Sequence, residues 1–342
     1  MTIVQVNARM GLVVAYTLKD MKGRVAPFLH TRDTLIAIAK LYYIGNMNQS
    51  DIAELMRLSR PKVSRMLKDA RAKKIVQFSI TTPESHYENL QQRIESAFSL
   101  KKVLVAPSEP LPEKSKSGVC NLAANYFSSL VKDGCNIGIA WGSTTTGLIQ
   151  HIPDRNMSDV QVYQLCAGLT SQNLFLDGHE ATKQLARVLN AKHHVLNAPF
   201  IVNSGLMKNL LLQEPEIQKH FASFEQIDIA IVGMGSSDPA KSSTYMADYI
   251  SLKESIELVE KGYTADIVGF RLHDDGSLAD IPLNERVMSI GLETLKNVPD
   301  VIAIASGEDK VTSIIAAARG KYFNTLIIDE IAAIAIINKL GL

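Results

Sequence analysis

The sequence predicts an α/β protein in two parts: an N-terminal winged helix-turn-helix and a larger C-terminal α/β domain with a mainly parallel sheet. Three observations predict it. Residues 49–74, QSDIAELMRLSRPKVSRMLKDARAKK, carry two short amphipathic helical patterns separated by a break. From residue 102 onward, β-rich apolar runs alternate with helical patterns, which makes βαβ units and a parallel sheet covered on both faces. With 342 residues, 46% of them hydrophobic and 21% charged, the chain is too long for a lone helix-turn-helix and can bury a full second core.

Residues 1–30 form an extension. Its stretch 10–18, MGLVVAYTL, follows Arg9 and has the look of a signal-peptide core, but no small-x-small cleavage site precedes Lys19 and Lys22. It reads as an extra helix or strand packed on the small domain, or as a poorly ordered segment, with Met10 and Met21 as alternative starts. Residues 31–44 set Leu35, Ile38, Ala39 and Tyr42 at helical spacing, with Thr31 or Asp33 as cap and Gly45-Asn46 as terminator. In the next helix Ile52, Ala53 and Met56 share a face. Leu58 turns inward, Ser59 has the side chain of an N-cap, and Pro61 sits in the first turn, where a missing N–H costs nothing. The second helix buries Val63, Met66, Leu67 and Ala70. Residues 75–80 then alternate as an edge strand would, completing a winged domain over 31–82.

Charge separates this domain from an ordinary helical bundle. Arg57, Arg60, Lys62, Arg65, Lys68, Arg71, Lys73 and Lys74 face only Asp69, in a chain of net charge +1. A charge run alone is usually a solvated helix face. Here it coincides with the turn, the cap and a polar N-terminal face, which points to double-stranded operator DNA, with phosphates neutralised by Lys and Arg and bases read from the start of the second helix. The expected DNA contacts are Gln49, Ser59, Arg60, Lys62, Ser64, Arg65 and Lys68.

After Pro83, residues 84–99 place Leu90, Ile94, Ala97 and Phe98 on one stripe, a linker helix (83–101) or a dimer contact. In the domain 102–342 the expected strands are 103–106, 137–140, 160–165, 227–232, 266–270, 301–305 and 325–328. The expected helices include 117–131, 180–189, 251–261 and 310–319. Sites in such sheets lie beyond the carboxyl ends of the strands.

Three loops there hold candidate chemistry. Ser143, Thr144, Thr145 and Thr146 follow Gly142 between a strand and a helix, offering hydroxyl and backbone donors to a phosphate, although an ordinary capped turn uses the same residue types. The loop 306–310, SGEDK, puts Lys310 at a helix entry, where a cation is unfavourable unless an anion is near. Asp266 could accept from sugar hydroxyls or be a structural strand-end carboxylate. The 233–237 stretch GMGSS lacks the dinucleotide fingerprint, so no nicotinamide site is expected. Cys120, Cys135 and Cys166 form no CxxC pair and read as reduced core thiols of a cytoplasmic protein. His179, with Asp177 and Glu180, and the pair His193-His194 show no metal spacing. No apolar run is long enough to span a membrane.

These residues resemble the SorC family of sugar-responsive bacterial transcription regulators, grouped with DeoR-type sugar-binding regulators. The matching pieces, in order from about Thr31, are QSDIAELMRLSRPKVSRMLKDARAKKIV, IGIAWGSTTTGL, DIAIVGMG, FRLHDDGSL and SGEDKVTSIIAAARGKYFNTLIIDE. The resemblance implies an effector domain similar to sugar-phosphate isomerases and deaminases that binds a phosphorylated sugar or polyol. It makes Gly142, Ser143, Thr144 and Thr145 the phosphate loop, Asp266 the carboxylate facing the sugar, and Gly307 with Lys310 the second anion-contacting loop. Where the family commonly has Gly-Ala-Val-Gly-Asp, this chain has Gly262-Tyr263-Thr264-Ala265-Asp266, so its pocket differs in shape. An isomerase or deaminase would also need a positioned acid and base, and the 233–239 segment supplies only Asp238. A regulator with no catalytic residues, cofactor or metal is therefore expected, acting as a dimer or tetramer because one recognition helix reads too few base pairs.

Overall fold

The computed structural model describes residues 32–73, 75–76, 84–168 and 177–342. The extension 1–30, Thr31, Lys74 and the body of the expected wing strand, 77–80, lie outside the described residues. The chain divides between Thr82 and Pro83 into two compact units.

In the first unit, α1 (Arg32–Ala39) widens into a π turn (Lys40–Ile44) that Gly45 ends by donating its N–H to the Lys40 carbonyl. A Cβ at Gly45 would stand 2.8 Å from the Leu41 carbonyl oxygen, so only glycine fits there. Two helices follow, α2 (Gln49–Leu55) and α3 (Arg60–Ala72), joined by a turn in which Arg57 takes φ +53°. Leu35, Ile38, Ile52, Val63, Met66, Leu67 and Ala70 close a core of their own. Asn48 caps α2, its side-chain oxygen accepting from the N–H groups of Ser50 and Asp51 at 2.9 Å each. Ser59 occupies the N-cap position of α3 in extended geometry, but its hydroxyl makes no capping bond. The expected side-chain cap is corrected to a bare N-cap residue, whose carbonyl starts the helix by accepting from Lys62 and Val63.

The second unit begins with α4 (Glu84–Phe98), β1 (Lys102–Ala106), α5 (Pro112–Leu130), β2 (Asn136–Ile139), α6 (Ser143–Ile149) and β3 (Gln161–Gln164). It continues through α7 (Gly178–Leu189), β4 (Lys192–His194), α8 (Gly205–Leu211), α9 (Pro215–Ser223), β5 (Ile229–Ser236), α10 (Ser243–Met246) and α11 (Leu252–Glu260). It ends with β6 (Ala265–Ile267), β7 (Phe270–Leu272), α12 (Leu292–Asn297), β8 (Asp300–Ile304), α13 (Val311–Arg319), β9 (Thr325–Asp329) and α14 (Glu330–Leu340). The order β1-β9-β8-β5-β2-β3-β4 is parallel at every pairing. Alternation along the strands serves two cores. Ile137, Ile139, Ile302 and Ile304 pack with Val119, Phe127, Leu148 and Leu185 of α5, α6 and α7, while Val301, Ala303, Ala230 and Val232 pack with Ile94, Ile314 and Ile336 of α4, α13 and α14.

One expected strand is corrected. Residues 266–270 do not continue the parallel sheet: β6 and β7 form an antiparallel hairpin hung on the end of β5, with Gly235 opposite Asp266 and Asp266 opposite Arg271. The turn is Val268-Gly269, both at positive φ (45° and 91°), which matches the twist a two-residue hairpin requires.

Candidate functional site

The carboxyl ends of β2, β5 and β8 lie side by side, so the loops that follow them share one edge of the sheet. After β2 the chain turns through Gly142 at φ +151° into α6. Thr145 folds inward, fully buried, donating its hydroxyl to the Gly142 carbonyl at 2.9 Å and lying against Gly233 of β5. Thr146 is buried as well. Ser143 is exposed and Thr144 half-buried, and neither hydroxyl has a partner among the described residues. The four hydroxyls therefore divide two by two: a buried inner pair, Thr145 and Thr146, and a more exposed outer pair, Ser143 and Thr144.

On the other side of β5 the turn Glu308–Lys310 packs against that strand's end. Lys310 Nζ lies 3.2 Å from Asp309 Oδ2. The Gly307 N–H donates to Asp329 Oδ2 at 2.8 Å, and the Ser306 hydroxyl donates to the same oxygen at 2.6 Å. The other Asp329 oxygen caps α14 through Ala332 N. The Asp329 carboxylate thus fixes this loop, and the Lys310 side chain lies beside Asp309.

Lys116 of α5 was not singled out from sequence. It lies one turn before Cys120 on the same helix face, and Cys120 Sγ sits 3.4 Å from the Thr144 carbonyl oxygen. Burial pushes the Lys116 ammonium below the usual lysine range; Cys120 and Glu113 oppose this, and repulsion from Lys310 adds to it. Burial also pushes the Cys120 thiol up to about 11, with Lys116 partly offsetting it, so Cys120 is a packed thiol rather than a nucleophile.

Asp266 is held from within the protein: Oδ2 is 2.8 Å from Arg271 Nη1, and Oδ1 accepts from the Gly269 N–H at 3.0 Å. Arg271 is wholly buried and spends its other donors on the Ser237 hydroxyl (2.8 Å), the Thr244 hydroxyl (2.8 Å) and the Gly269 carbonyl (3.0 Å). The guanidinium ties the β6–β7 hairpin to the segments after β5, which is the structural alternative that sequence left open for Asp266.

In the first unit, Arg60, Arg65 and Lys68 are exposed on α3, Lys62 and Ser64 half-buried, and Gln49 half-buried at the start of α2. No carboxylate among the described residues pairs with these four cations. Arg71 has a different task, its Nε donating to Tyr43 Oη at 2.8 Å and its guanidinium standing 5.7 Å from that ring's centre. It staples α3 to the π turn. Among the described residues no group of His, Cys, Asp and Glu could hold a metal ion, and no helix is long and apolar enough to cross a membrane.

Residues 82–338 match a family model described as "Putative sugar-binding domain". The chain is similar to the sorbitol operon regulator of Klebsiella pneumoniae, 30% identical over 297 residues that cover 86% of this chain and 94% of the relative. It is 28% identical to the deoxyribonucleoside regulator of Bacillus subtilis (strain 168), covering 89% of this chain and 97% of that one. The crystal structure of the full-length K. pneumoniae regulator SorC superposes with a TM-score of 0.68 at 28% identity, covering 89% of this chain and 98% of that one. The helical unit with its basic α3 and the parallel α/β domain are the two halves such a regulator needs, and the chain belongs to the SorC family of DeoR-like sugar-binding transcriptional regulators, not to the enzymes.

Proposed function

We propose that the sugar effector is phosphorylated and that its phosphate is held by Ser143, Thr144, Lys310 and Lys116. The observation that carries this reading is the pair of unpartnered hydroxyls on Ser143 and Thr144, across β5 from the turn that holds Lys310, with Lys116 within electrostatic reach of Lys310. Lys116 and Lys310 repel one another, and although Asp309 and Glu113 offset part of their charge, a phosphate dianion is attracted to the pair where a neutral sugar is not. Relatives named for a sorbitol operon and for deoxyribonucleosides support sugars and polyols as the ligand class.

Occupancy of this site alters the hold of α3 on a double-stranded operator of a sugar or polyol catabolic operon, in the cytoplasm where both are found. Contacts from Gln49, Ser59, Arg60, Lys62, Ser64, Arg65 and Lys68 make the DNA interface. Two such helices in a dimer or tetramer supply the specificity that one lacks. Exposed Ile331 and Ile334 of α14 offer apolar surface for that association. The test is a thermal-shift screen of the full chain with phosphorylated and unphosphorylated sugars. A phosphorylated compound at about 100 times its Kd should add roughly 2.7 kcal/mol of stability, and a free sugar that stabilises as strongly as its phosphate would count against the phosphate site.

A further inference from the structure

α4 is the first helix of the second unit and begins directly after the boundary at Thr82–Pro83, so its first turn receives the chain that comes from the helix-turn-helix. Two kinds of polar contact hold it. Toward its carboxyl end, the Val103 N–H donates to Glu95 Oε1 at 2.7 Å and the Val105 N–H to Gln91 Oε1 at 3.0 Å. β1 is an end strand of the sheet, and these two side chains cover an edge that would otherwise lie open. Leu90 and Ile94 are buried in the core beside them, so this part of α4 is fixed. Toward the amino end, His86 Nε2 lies 2.8 Å from Glu330 Oε1, with the side chains 41% and 25% exposed. A pair in that setting adds little to stability and opens without unfolding its surroundings.

Glu330 opens α14, and the residue before it is the buried Asp329. Asp329 Oδ1 caps α14 through the Ala332 N–H, while Oδ2 accepts from the Ser306 hydroxyl and the Gly307 N–H. Both of those donors belong to the segment that leads into Lys310, and each has a single hydrogen to give. A phosphate oxygen arriving there competes with the carboxylate for the same two hydrogens, and its charge repels the carboxylate as well. Occupancy therefore loosens the grip of Oδ2 on the turn. The carboxylate that loses this grip also caps the head of α14, where Glu330 meets His86.

We propose that the His86–Glu330 pair is a latch through which effector occupancy reaches the DNA-binding unit. An anion beside Lys310 draws Ser306 and Gly307 away from Asp329, the head of α14 shifts with the freed carboxylate, and Glu330 releases the first turn of α4. Gln91 and Glu95 keep the rest of that helix on β1. The latch rests on the phosphate reading and adds the route by which the ligand's arrival is transmitted. Because the closed latch opposes occupancy, reciprocity requires that its loss strengthen effector binding while weakening the coupling to DNA.

The test uses the full chain, a DNA duplex selected from random sequence by the wild-type protein, and a panel of glucose 6-phosphate, ribose 5-phosphate, sorbitol 6-phosphate and glycerol 3-phosphate. The compound that raises the wild-type Tm most is titrated into wild type, His86→Ala, Glu330→Ala and the double variant, each checked for fold by circular dichroism. Both single variants should bind that compound roughly two- to fivefold more tightly, the range an exposed pair can supply, and their duplex affinity should respond to it less than the wild type's by a similar factor. Without the compound, their duplex affinity should already lie toward the value of the saturated wild type. The double variant should match the singles, because one contact is lost in all three. Glu330→Gln, which keeps an acceptor for the imidazole, should restore most of the coupling. If the compound binds but its effect on duplex affinity is the same in wild type and both single variants, the latch is overturned and the phosphate reading stands. A panel in which nothing raises Tm overturns both.

Discussion

Arg271 Nη1 stands 2.8 Å from Asp266 Oδ2 with the guanidinium wholly buried and the carboxylate nearly so, the two residues facing each other across the β6–β7 hairpin. Taking both charges out of water is costly, and the geometry offsets that cost through further hydrogen bonds that give every guanidinium nitrogen a partner. Asp266→Ala should therefore destabilise the second unit by about 3–5 kcal/mol, because it strands a buried cation. Urea unfolding measures it. A loss under about 1 kcal/mol, the range of an exposed pair, would mean that the pair is solvated.

Under the proposed phosphate site, Lys310→Ala should remove a charge-assisted bond of the class worth about 1.5–3 kcal/mol and weaken effector binding roughly ten- to a hundredfold. Lys116→Met, which keeps an unbranched apolar stem, should weaken it in the same range, and the two losses should not add, since both cations address one anion. Calorimetric titration of the two single variants and the double variant decides this. Additive losses would assign the lysines to separate anions.

On α3, Arg65→Ala and Lys62→Ala should weaken operator binding with effector binding unchanged. A lost phosphate contact lowers the salt slope by about one unit, and a lost base contact costs about 1–3 kcal/mol at one position of the site. Anisotropy titrations across a salt series separate the two. Wild-type affinity in both variants would move the interface off this helix.

His220 is buried, with Nε2 donating to the Gln164 carbonyl at 2.9 Å. Burial holds its pKa below the ordinary value, the Gln164 bond opposing and His194 reinforcing that shift. The unfolded chain therefore binds a proton more readily than the folded one. Stability should be constant above pH about 6.5 and fall as the pH drops below it, by at most about 1.4 kcal/mol per unit from this residue. His220→Gln should flatten that part of the profile. An unchanged slope in the variant would shift the effect to other groups.

How much of this was legible beforehand depends on how local each cause is. The seven expected runs were readable because a strand buried on both faces is apolar throughout, and six of them became parallel strands. The hairpin at 265–272 was not, because the β-branched Val268 gives no turn signal and its positive φ hides inside the apolar text ADIVGF. β4 was missed since its residues Lys192, His193 and His194 look like a connection. In the site, the hydroxyl loop and Lys310 were visible as sequence, whereas the fate of the Gly307 N–H depends on Asp329, twenty-two residues downstream. Arg271 and Lys116 were invisible for a similar reason. A buried arginine makes sense only once Asp266, Ser237 and Thr244 have been brought to it, and a lysine on a helical pattern reads as a solvated charge until the helix is docked.

The central claim is that a phosphorylated sugar seated between the Ser143-Thr144 turn and Lys310 controls how the helix-turn-helix holds DNA. Operator affinity of the full chain, titrated by anisotropy with and without the phosphorylated compound that gives the largest thermal shift, tests it most directly beside Thr144→Ala and Lys310→Ala. The account predicts that the compound shifts the wild-type operator affinity, that both variants bind the operator normally without it, and that each needs roughly ten- to a hundredfold more of it for the same shift. Identical responses in all three proteins would place the phosphate elsewhere and contradict the account.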